Sequence, residues 1–145
     1  MTIRGALLLE LALGLTLAGL LLAVGIPTLR APLDRLAADR AAIDFAGAHA
    51  RARIASVTSN RVSRLVITAD SLTITVGHPP DTARLWSAAG PAGSGVAFSG
   101  PASPLRFRPA GVSFGLANGT YTFTRGRKST AVVVSRWGRV RMVRR

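Results

Sequence analysis

The chain has 145 residues, which is enough for one modest domain and an appendage, and its lack of cysteine excludes disulfide bonds and thiolate metal sites. Its two histidines, His49 and His78, lie far apart with no ligand partner at a recognisable spacing, so we expect no metal site and no cofactor. The formal net charge is +13, and residues 46–145 hold fifteen basic side chains against two acidic ones, which favours a polyanion such as nucleic acid, anionic lipid or lipopolysaccharide as partner.

The first predicted element is an apolar helix. Nineteen residues from Leu11 to Leu29 carry no charge, and a helix of about 20 apolar residues spans a bilayer. A cleaved secretory signal peptide is the alternative, with Arg4 as its basic residue and Ala23–Gly25 as a cleavage site of small residues. Glu10 argues against that alternative, because a carboxylate in a membrane segment costs free energy and brings nothing to a signal peptide.

The segment RGALLLEL, residues 4–11, resembles the type III signal of type IV pilins and pseudopilins. The resemblance implies that a prepilin peptidase cleaves between Gly5 and Ala6, that Ala6 is N-methylated, and that Glu10 acts in assembly. In a filament, the Glu10 carboxylate of one subunit would pair with the Ala6 ammonium of its neighbour and so fix their register. Ala6 and Leu7 stand where the family usually has Phe and a small hydroxyl residue. The alternative is a signal-anchored envelope protein with a chance glutamate, binding another polyanion.

A second helical stretch follows Pro27. Apolar residues recur there at three- and four-residue steps and predict one face that packs on a globular domain: Leu33, Leu36, Ile43, Gly47, Ala50, Ile54 and Val57. Pro27 lies where the pilin family commonly has a helix-kinking proline. We therefore expect one long bent helix, transmembrane over residues 6–29 and amphipathic over residues 30–60, after a leader peptide of residues 1–5.

From Arg61 the apolar period changes to two, which is typical of strands. Val62–Thr68 and Leu72–Val76 predict a hairpin, and a Gly- and Pro-rich loop is expected near residues 77–104. Further strand patterns are LRFRP, TYTFTR, STAVVVSR and RVRMV. The fold class is therefore α+β, with the helix packed against a basic antiparallel sheet domain of residues 61–145. The pilin resemblance implies the same pilin-like arrangement.

Two C-terminal motifs resemble the FimT/GspH-type minor pseudopilins. They are F-x-P-x-G at Phe107, Pro109 and Gly111, and G-R-x-R at residues 138–141. The FimT branch is associated with DNA capture by type IV pili during natural transformation, and the GspH branch with the tip of the type II secretion pseudopilus. Both remain open. The resemblance implies a single-pass inner-membrane protein with a cytoplasmic N-terminus and a periplasmic C-terminal domain, whose partners are the prepilin peptidase and other pilins.

The candidate polyanion site is the basic C-terminal end. Strand alternation predicts that Arg139 and Arg141 share an exposed face while Val140 and Met142 face the core. Trp137 would stack on an unpaired base or pack inside the domain. The candidate residues are Arg125, Arg127, Lys128, Arg136, Trp137, Gly138, Arg139, Arg141, Arg144 and Arg145. No residue is predicted to contact base edges, so the expected ligand is double-stranded DNA bound without sequence preference. The alternative is a solvated face of a purely structural subunit.

No enzyme is expected. Asp70 and Asp81 are the two carboxylates of the strand region and do not predict an acid–base pair. The serines lack the sequence context of an activated nucleophile. The glycines of GPAGSG lack the strand–loop–helix context of a phosphate-binding loop.

Overall fold

The longest element is helix α1, Ile3–Thr58. The computed structural model describes residues 3–115 and 118–144, without the side chains of residues 3, 4, 24 and 26–29. The side chain of Pro27 and all of Arg145 thus lie outside the described residues, and the bend at Pro27 stays a prediction. The chain divides into two compact units, Met1–Leu33 and Asp34–Arg145. In the described part of the first unit, residues 3–33, every residue is helical.

The second unit contains the rest of α1 and two antiparallel sheets. The larger has the strand order β3-β2-β1-β5-β6 and the smaller β4-β7-β8-β9. The described strands are β1 (Ser63–Ile67), β2 (Ser71–His78), β3 (Asp81–Ala89), β4 (Ala97–Ser99), β5 (Leu105–Phe107), β6 (Ser113–Phe114), β7 (Gly119–Arg125), β8 (Lys128–Val134) and β9 (Val140–Arg144), with a short 3-10 helix at Pro91–Ser94. The α+β class is confirmed, and the predicted hairpin corresponds to β1 and β2.

The loop expected over residues 77–104 is wrong for much of that segment, because β3 and β4 lie within it. Strand β3 is at the edge of the larger sheet and most of its side chains are exposed. An edge strand with little buried surface does not require alternating apolar residues, so its sequence lacks the pattern that indicates a strand. Its hydrogen bonds to β2, with a bulge between Ile74 and Thr75, define it instead.

The predicted packing face of α1 is also wrong. Leu36, Ile43, Ile54 and Val57 are exposed, as is Leu33. The buried face is made largely of small residues: Ala38, Ala41, Ala42, Phe45, Ala48, His49, Ala52, Ala55 and Ser56. Alanines let the helix backbone come close to the sheets, and large side chains on the strands fill the space between them. The larger apolar residues of the helix are left on its outer surface.

One buried cluster joins α1 to both sheets. Phe45 packs against Tyr121 and Phe123 of the smaller sheet, with ring centroids 4.5 and 5.8 Å apart. Leu65 and Ile74 of the larger sheet belong to the same cluster. This single core holds both sheets against the helix and so fixes the position of the turns at their ends.

Candidate functional site

The N-terminal part of α1 has the length and composition of a membrane span. Residues Gly5–Ala23 form a 19-residue apolar stretch with a mean hydropathy of 2.2 and no buried fraction. Ten of its leucines lie open to the surroundings, such as Leu20, which is 72% exposed. A helix of this length crosses most of the hydrocarbon core of a bilayer. This part of the chain therefore presents an apolar surface that none of the described residues of its own unit covers.

Glu10 lies within that apolar stretch and is exposed. A shallow depression of the helix surface beside it is lined by Leu7, Leu11 and Gly14. Gly5 and Ala6 lie near the start of α1. The carboxylate therefore stands on an otherwise apolar helix face.

The C-terminal basic residues surround a tight turn between β8 and β9. The backbone N–H of Gly138 donates to Ser135 O at 2.8 Å, and the N–H of Ser135 donates to Arg139 O at 2.9 Å. Gly138 has a φ of +75°, a left-handed conformation that favours glycine. The Ser113 hydroxyl donates to Arg136 O at 2.9 Å and ties the turn to the larger sheet. Hydrogen bonds thus hold the turn both within itself and to the larger sheet.

Most of the side chains of this turn point into solvent. Trp137 is 81% exposed and is not a core residue. Arg136, Arg139 and Arg141 are also exposed, and Arg141 lies opposite the exposed Val133 on the outer face of the smaller sheet. Guanidinium groups and an open indole of this kind suit phosphate and base contacts.

The prediction for the inner face of β9 holds only in part. Val140 packs against the core cluster. Met142 lies opposite the buried Val132, yet it is 42% exposed. The difference arises because β9 is the edge strand of the smaller sheet, so one side of each residue lacks a neighbouring strand.

Two of the candidate arginines are already paired within the domain. Arg125 Nε lies 3.2 Å from Asp34 Oδ1, and Arg144 Nε lies 3.1 Å from Asp39 Oδ2. Arg125 also donates to Ser94 O at 2.9 Å. These guanidinium groups face carboxylates of α1, so their charge is partly compensated within the domain. Contact of Arg125 and Arg144 with a polyanion stays a prediction.

The described candidate residues lie in two separate groups. Arg127 and Lys128 lie at the turn that precedes β8, whereas Arg136 to Arg139 lie at the turn that follows it. A strand of this length separates its two ends by roughly 20 Å, at about 3.3 Å a residue. The exposed cations of the smaller sheet therefore occupy both of its ends, and the turn around Trp137 is the denser aromatic and basic surface.

The motif F-x-P-x-G builds a turn of the larger sheet. Phe107 is fully buried in the core, and Gly111 has a φ of +72°. The backbone N–H of Gly111 donates to Arg108 O at 2.7 Å, and that of Arg108 donates to Val112 O at 2.9 Å. The two ends of the motif thus anchor β5 and turn the chain into β6.

His49 is buried on the inner face of α1, where its ring meets Phe107 edge-on at 5.0 Å between centroids. Burial, together with the nearby Arg53 guanidinium, lowers the pKa of His49 to about 4. Within the described residues its Nε2 has no hydrogen-bond partner. In the described ranges 3–115 and 118–144, no three His, Asp or Glu side chains come together as a metal site.

Sequence reasoning missed the roles of Asp34 and Asp39. Both lie on the helix, and their partners are far away in the chain, on β7 and β9. No local period connects residues at such separations. Composition alone could have indicated these ion pairs, because the few acidic residues of a basic domain are surrounded by arginines.

The fold is similar to those of solved minor pilins and minor pseudopilins. No family model matches the chain, and no curated protein sequence matches it. The solved structure of the type IV minor pilin FimU of Pseudomonas aeruginosa aligns with a TM-score of 0.62 and 16% identity, covering 73% of this chain and 87% of that one. The minor pseudopilin EpsH of the type 2 secretion system of Vibrio cholerae aligns with a TM-score of 0.58 and 14% identity, covering 74% of this chain and 96% of that one.

The chain therefore has the fold of type IV minor pilins and minor pseudopilins. This confirms the fold that the N- and C-terminal motifs implied. At such low identity the likeness shows the fold alone, and the function depends on the surfaces of this chain.

Proposed function

We propose that this protein is a minor subunit of a type IV pilus or of a type II secretion pseudopilus. The observation that carries the proposal is the combination of a minor-pilin fold with a 19-residue apolar helix that holds one carboxylate. Before assembly the helix would lie in the inner membrane, with the sheet domain in the periplasm. After assembly it would pack among the helices of other pilin subunits, which replace lipid around its leucines.

Processing precedes assembly in this proposal. The prepilin peptidase cleaves after Gly5, and the new N-terminal residue, Ala6, is methylated. Glu10 then pairs with the Ala6 ammonium of a neighbouring subunit. In an apolar setting a carboxylate without a partner is strongly unfavourable, so the pair selects one register between subunits.

The outer face of α1 offers a second contact surface for other subunits. Leu36, Ile43, Ile54 and Val57 are each more than half exposed. Large apolar side chains repeated along one helix face are typical of helix–helix interfaces. Subunit packing would bury this surface.

Incorporation into filaments tests the proposal. Glu10→Leu should insert in the membrane at least as well as the wild type, because it loses a charge. It should fail to form cross-links to other pilins in cells. Thr16→Leu is the matched control, since it also adds an apolar side chain to the exposed helix but keeps the carboxylate. Equal cross-linking of Glu10→Leu and the wild type would refute the pairing.

The second candidate function is DNA contact at the turn between β8 and β9, as expected of a pilus-borne receptor for natural transformation. It is favoured by the exposed Trp137, Arg139 and Arg141 on a domain with few acidic residues. Binding there would be to phosphates and independent of sequence. Neighbouring genes would distinguish a subunit of a secretion pseudopilus from one of a transformation pilus, because secretion genes and pilus-assembly or competence genes form different clusters.

A further inference from the structure

The larger sheet carries a row of arginines across its strands. Arg64 of β1 lies opposite Thr75 of β2 on one side and opposite Arg106 of β5 on the other. Thr75 in turn lies opposite Arg84 of β3. Residues opposite each other in a sheet project from the same face, and adjacent strands lie about 4.8 Å apart, so the row extends over roughly 14 Å.

This row lies on the face of the sheet that points away from the core. Arg64 stands between the buried Ser63 and Leu65, and Arg106 stands between the buried Leu105 and Phe107. Alternation along a strand therefore directs both arginines outward. Arg84 and Arg106 are exposed, and Arg64 is half-buried.

The guanidinium groups of the row lack ion-pair partners among the residues that the structure describes. Within the described residues, none of Arg64, Arg84 and Arg106 has a carboxylate within 4.0 Å. The carboxylates of the strand region are Asp70 and Asp81, and Asp81 pairs with Arg61. Like charges directly opposite each other in a sheet repel, so the pair of Arg64 and Arg106 is unfavourable without an anion. A bound polyanion would relieve that repulsion.

An aromatic cleft continues the row at the edge of the sheet. Phe114 of β6 lies opposite Arg106, and the Arg108 guanidinium carbon is 5.3 Å from the centroid of the Phe114 ring. A cleft of about 460 Å³ is lined by Arg108, Val112, Phe114 and Arg136. It thus brings two arginines together with an aromatic and an aliphatic residue.

We propose that the row and the cleft together bind single-stranded nucleic acid. The arginines of the row bind successive phosphates, since guanidinium groups form paired hydrogen bonds with phosphate oxygens. An unpaired base enters the cleft and stacks against Phe114, between Arg108 and Arg136. Duplex DNA keeps its bases stacked inside the helix and offers none to the cleft. The cleft shares Arg136 with the turn that carries Arg139, but the row of arginines lies on the other sheet, and the proposal does not rest on filament assembly.

The test uses the full chain in a non-ionic detergent and two fluorescent probes. One probe is an oligothymidylate, and the other is a duplex with the same number of phosphates. Arg64→Gln with Arg106→Gln should weaken oligothymidylate binding about tenfold at low salt and flatten its salt slope by about 1.4, from two phosphates lost at about 0.7 each. The matched control removes two exposed charges of α1, Arg35→Gln with Arg40→Gln, and should weaken binding by no more than about twofold.

Phe114→Leu tests the cleft separately from charge. It should weaken oligothymidylate binding about fivefold or more, the effect of losing one stacked base, and leave duplex binding unchanged. Weaker binding of the oligothymidylate, with unchanged binding of the duplex, supports the proposal. Equal effects on both probes, no effect on either, or equal losses in the arginine pair and its control would overturn it.

Two further measurements are the melting temperature of the variants and their binding to lipid vesicles. Removing the row should leave the melting temperature unchanged or raise it, because repulsion is relieved. If the double variant does not fold, Arg106→Gln alone, at an exposed position, gives the decisive comparison. Vesicles containing phosphatidylglycerol provide the other source of phosphate. Row-dependent binding to vesicles, without row-dependent binding to the oligonucleotide, would assign the surface to lipid and overturn the proposal.

Discussion

Arg144 and Asp39 form an ion pair in which Arg144 Nε lies 3.1 Å from Asp39 Oδ2. The other oxygen of the same carboxylate, Oδ1, accepts a hydrogen bond from the Thr130 hydroxyl at 2.6 Å. Thr130 of β8 and Arg144 of β9 lie opposite each other in the sheet. A single helix carboxylate therefore binds two neighbouring strands and makes Arg144 a structural residue.

This arrangement predicts unequal costs for its two partners. Asp39→Ala should lower the free energy of unfolding by about 1–3 kcal/mol, because it leaves the buried Thr130 hydroxyl and the exposed Arg144 guanidinium without their acceptor. Arg144→Gln should cost no more than about 1 kcal/mol, because its side chain is 65% exposed. Chemical denaturation of the full chain in detergent measures both. Equal costs, or loss of DNA binding in Arg144→Gln without loss of stability, would contradict this assignment.

A second prediction concerns the alanine-rich face of α1. Ala48 is 1% exposed, so Ala48→Leu should overpack the core and lower the free energy of unfolding by about 1–3 kcal/mol. Ala50 is exposed, and Ala50→Leu should change it by less than about 0.5 kcal/mol. The same denaturation measurement compares the two. A greater cost at Ala50 would restore the packing face predicted from the sequence.

Local sequence patterns predicted some properties of the helix correctly and others wrongly. Apolar periodicity predicted the existence of α1 and its membrane-like first part, because these depend on neighbouring residues alone. It selected the wrong packing face, since size rather than hydrophobicity decides which residues approach a sheet closely. Ala42 and Ala52 are fully buried, while Ile43 and Ile54 beside them are exposed.

The candidate site was predictable to a similar extent. The turn at Gly138 and the exposure of Arg141 follow from local sequence. The pairing of Arg125 with Asp34 and the row formed by Arg64 and Arg106 depend on which strands become neighbours. Strand order is a property of the whole domain, so short-range spacing could not supply it.

His49 should make stability depend on pH. Its pKa is about 4 in the folded chain and near 6.5 when unfolded. The unfolded chain therefore binds the proton first, and the stability present above pH 6.5 should fall by about 3 kcal/mol as the pH drops to about 4. Denaturation at several pH values should show this fall in the wild type and a smaller one in His49→Leu. His78→Gln, at an exposed position, is the control and should behave as the wild type.

Gly5 should be required for maturation. The peptidase must reach the backbone between Gly5 and Ala6, and the branched side chain of Gly5→Val would obstruct it. The intact mass of the membrane-extracted wild type should correspond to a chain that starts at Ala6 and carries one methyl group. Gly5→Val should keep residues 1–5. A wild-type chain that retains Met1, or one that starts after Gly25, would refute the pilin-type processing.

Arg139 and Arg141 should set the salt dependence of duplex binding. If each contacts one phosphate, Arg139→Ala with Arg141→Ala should weaken binding to every duplex sequence and flatten the salt slope by about 1.8, from about 0.9 per phosphate. Both side chains are exposed, so the free energy of unfolding should change by less than about 0.5 kcal/mol. Fluorescence anisotropy over a range of salt concentrations measures the slope, with Arg144→Gln as the control because that arginine is paired with Asp39. If the double variant binds duplex as well as the wild type but is less stable, the two arginines are structural and the purely filament-forming role is favoured.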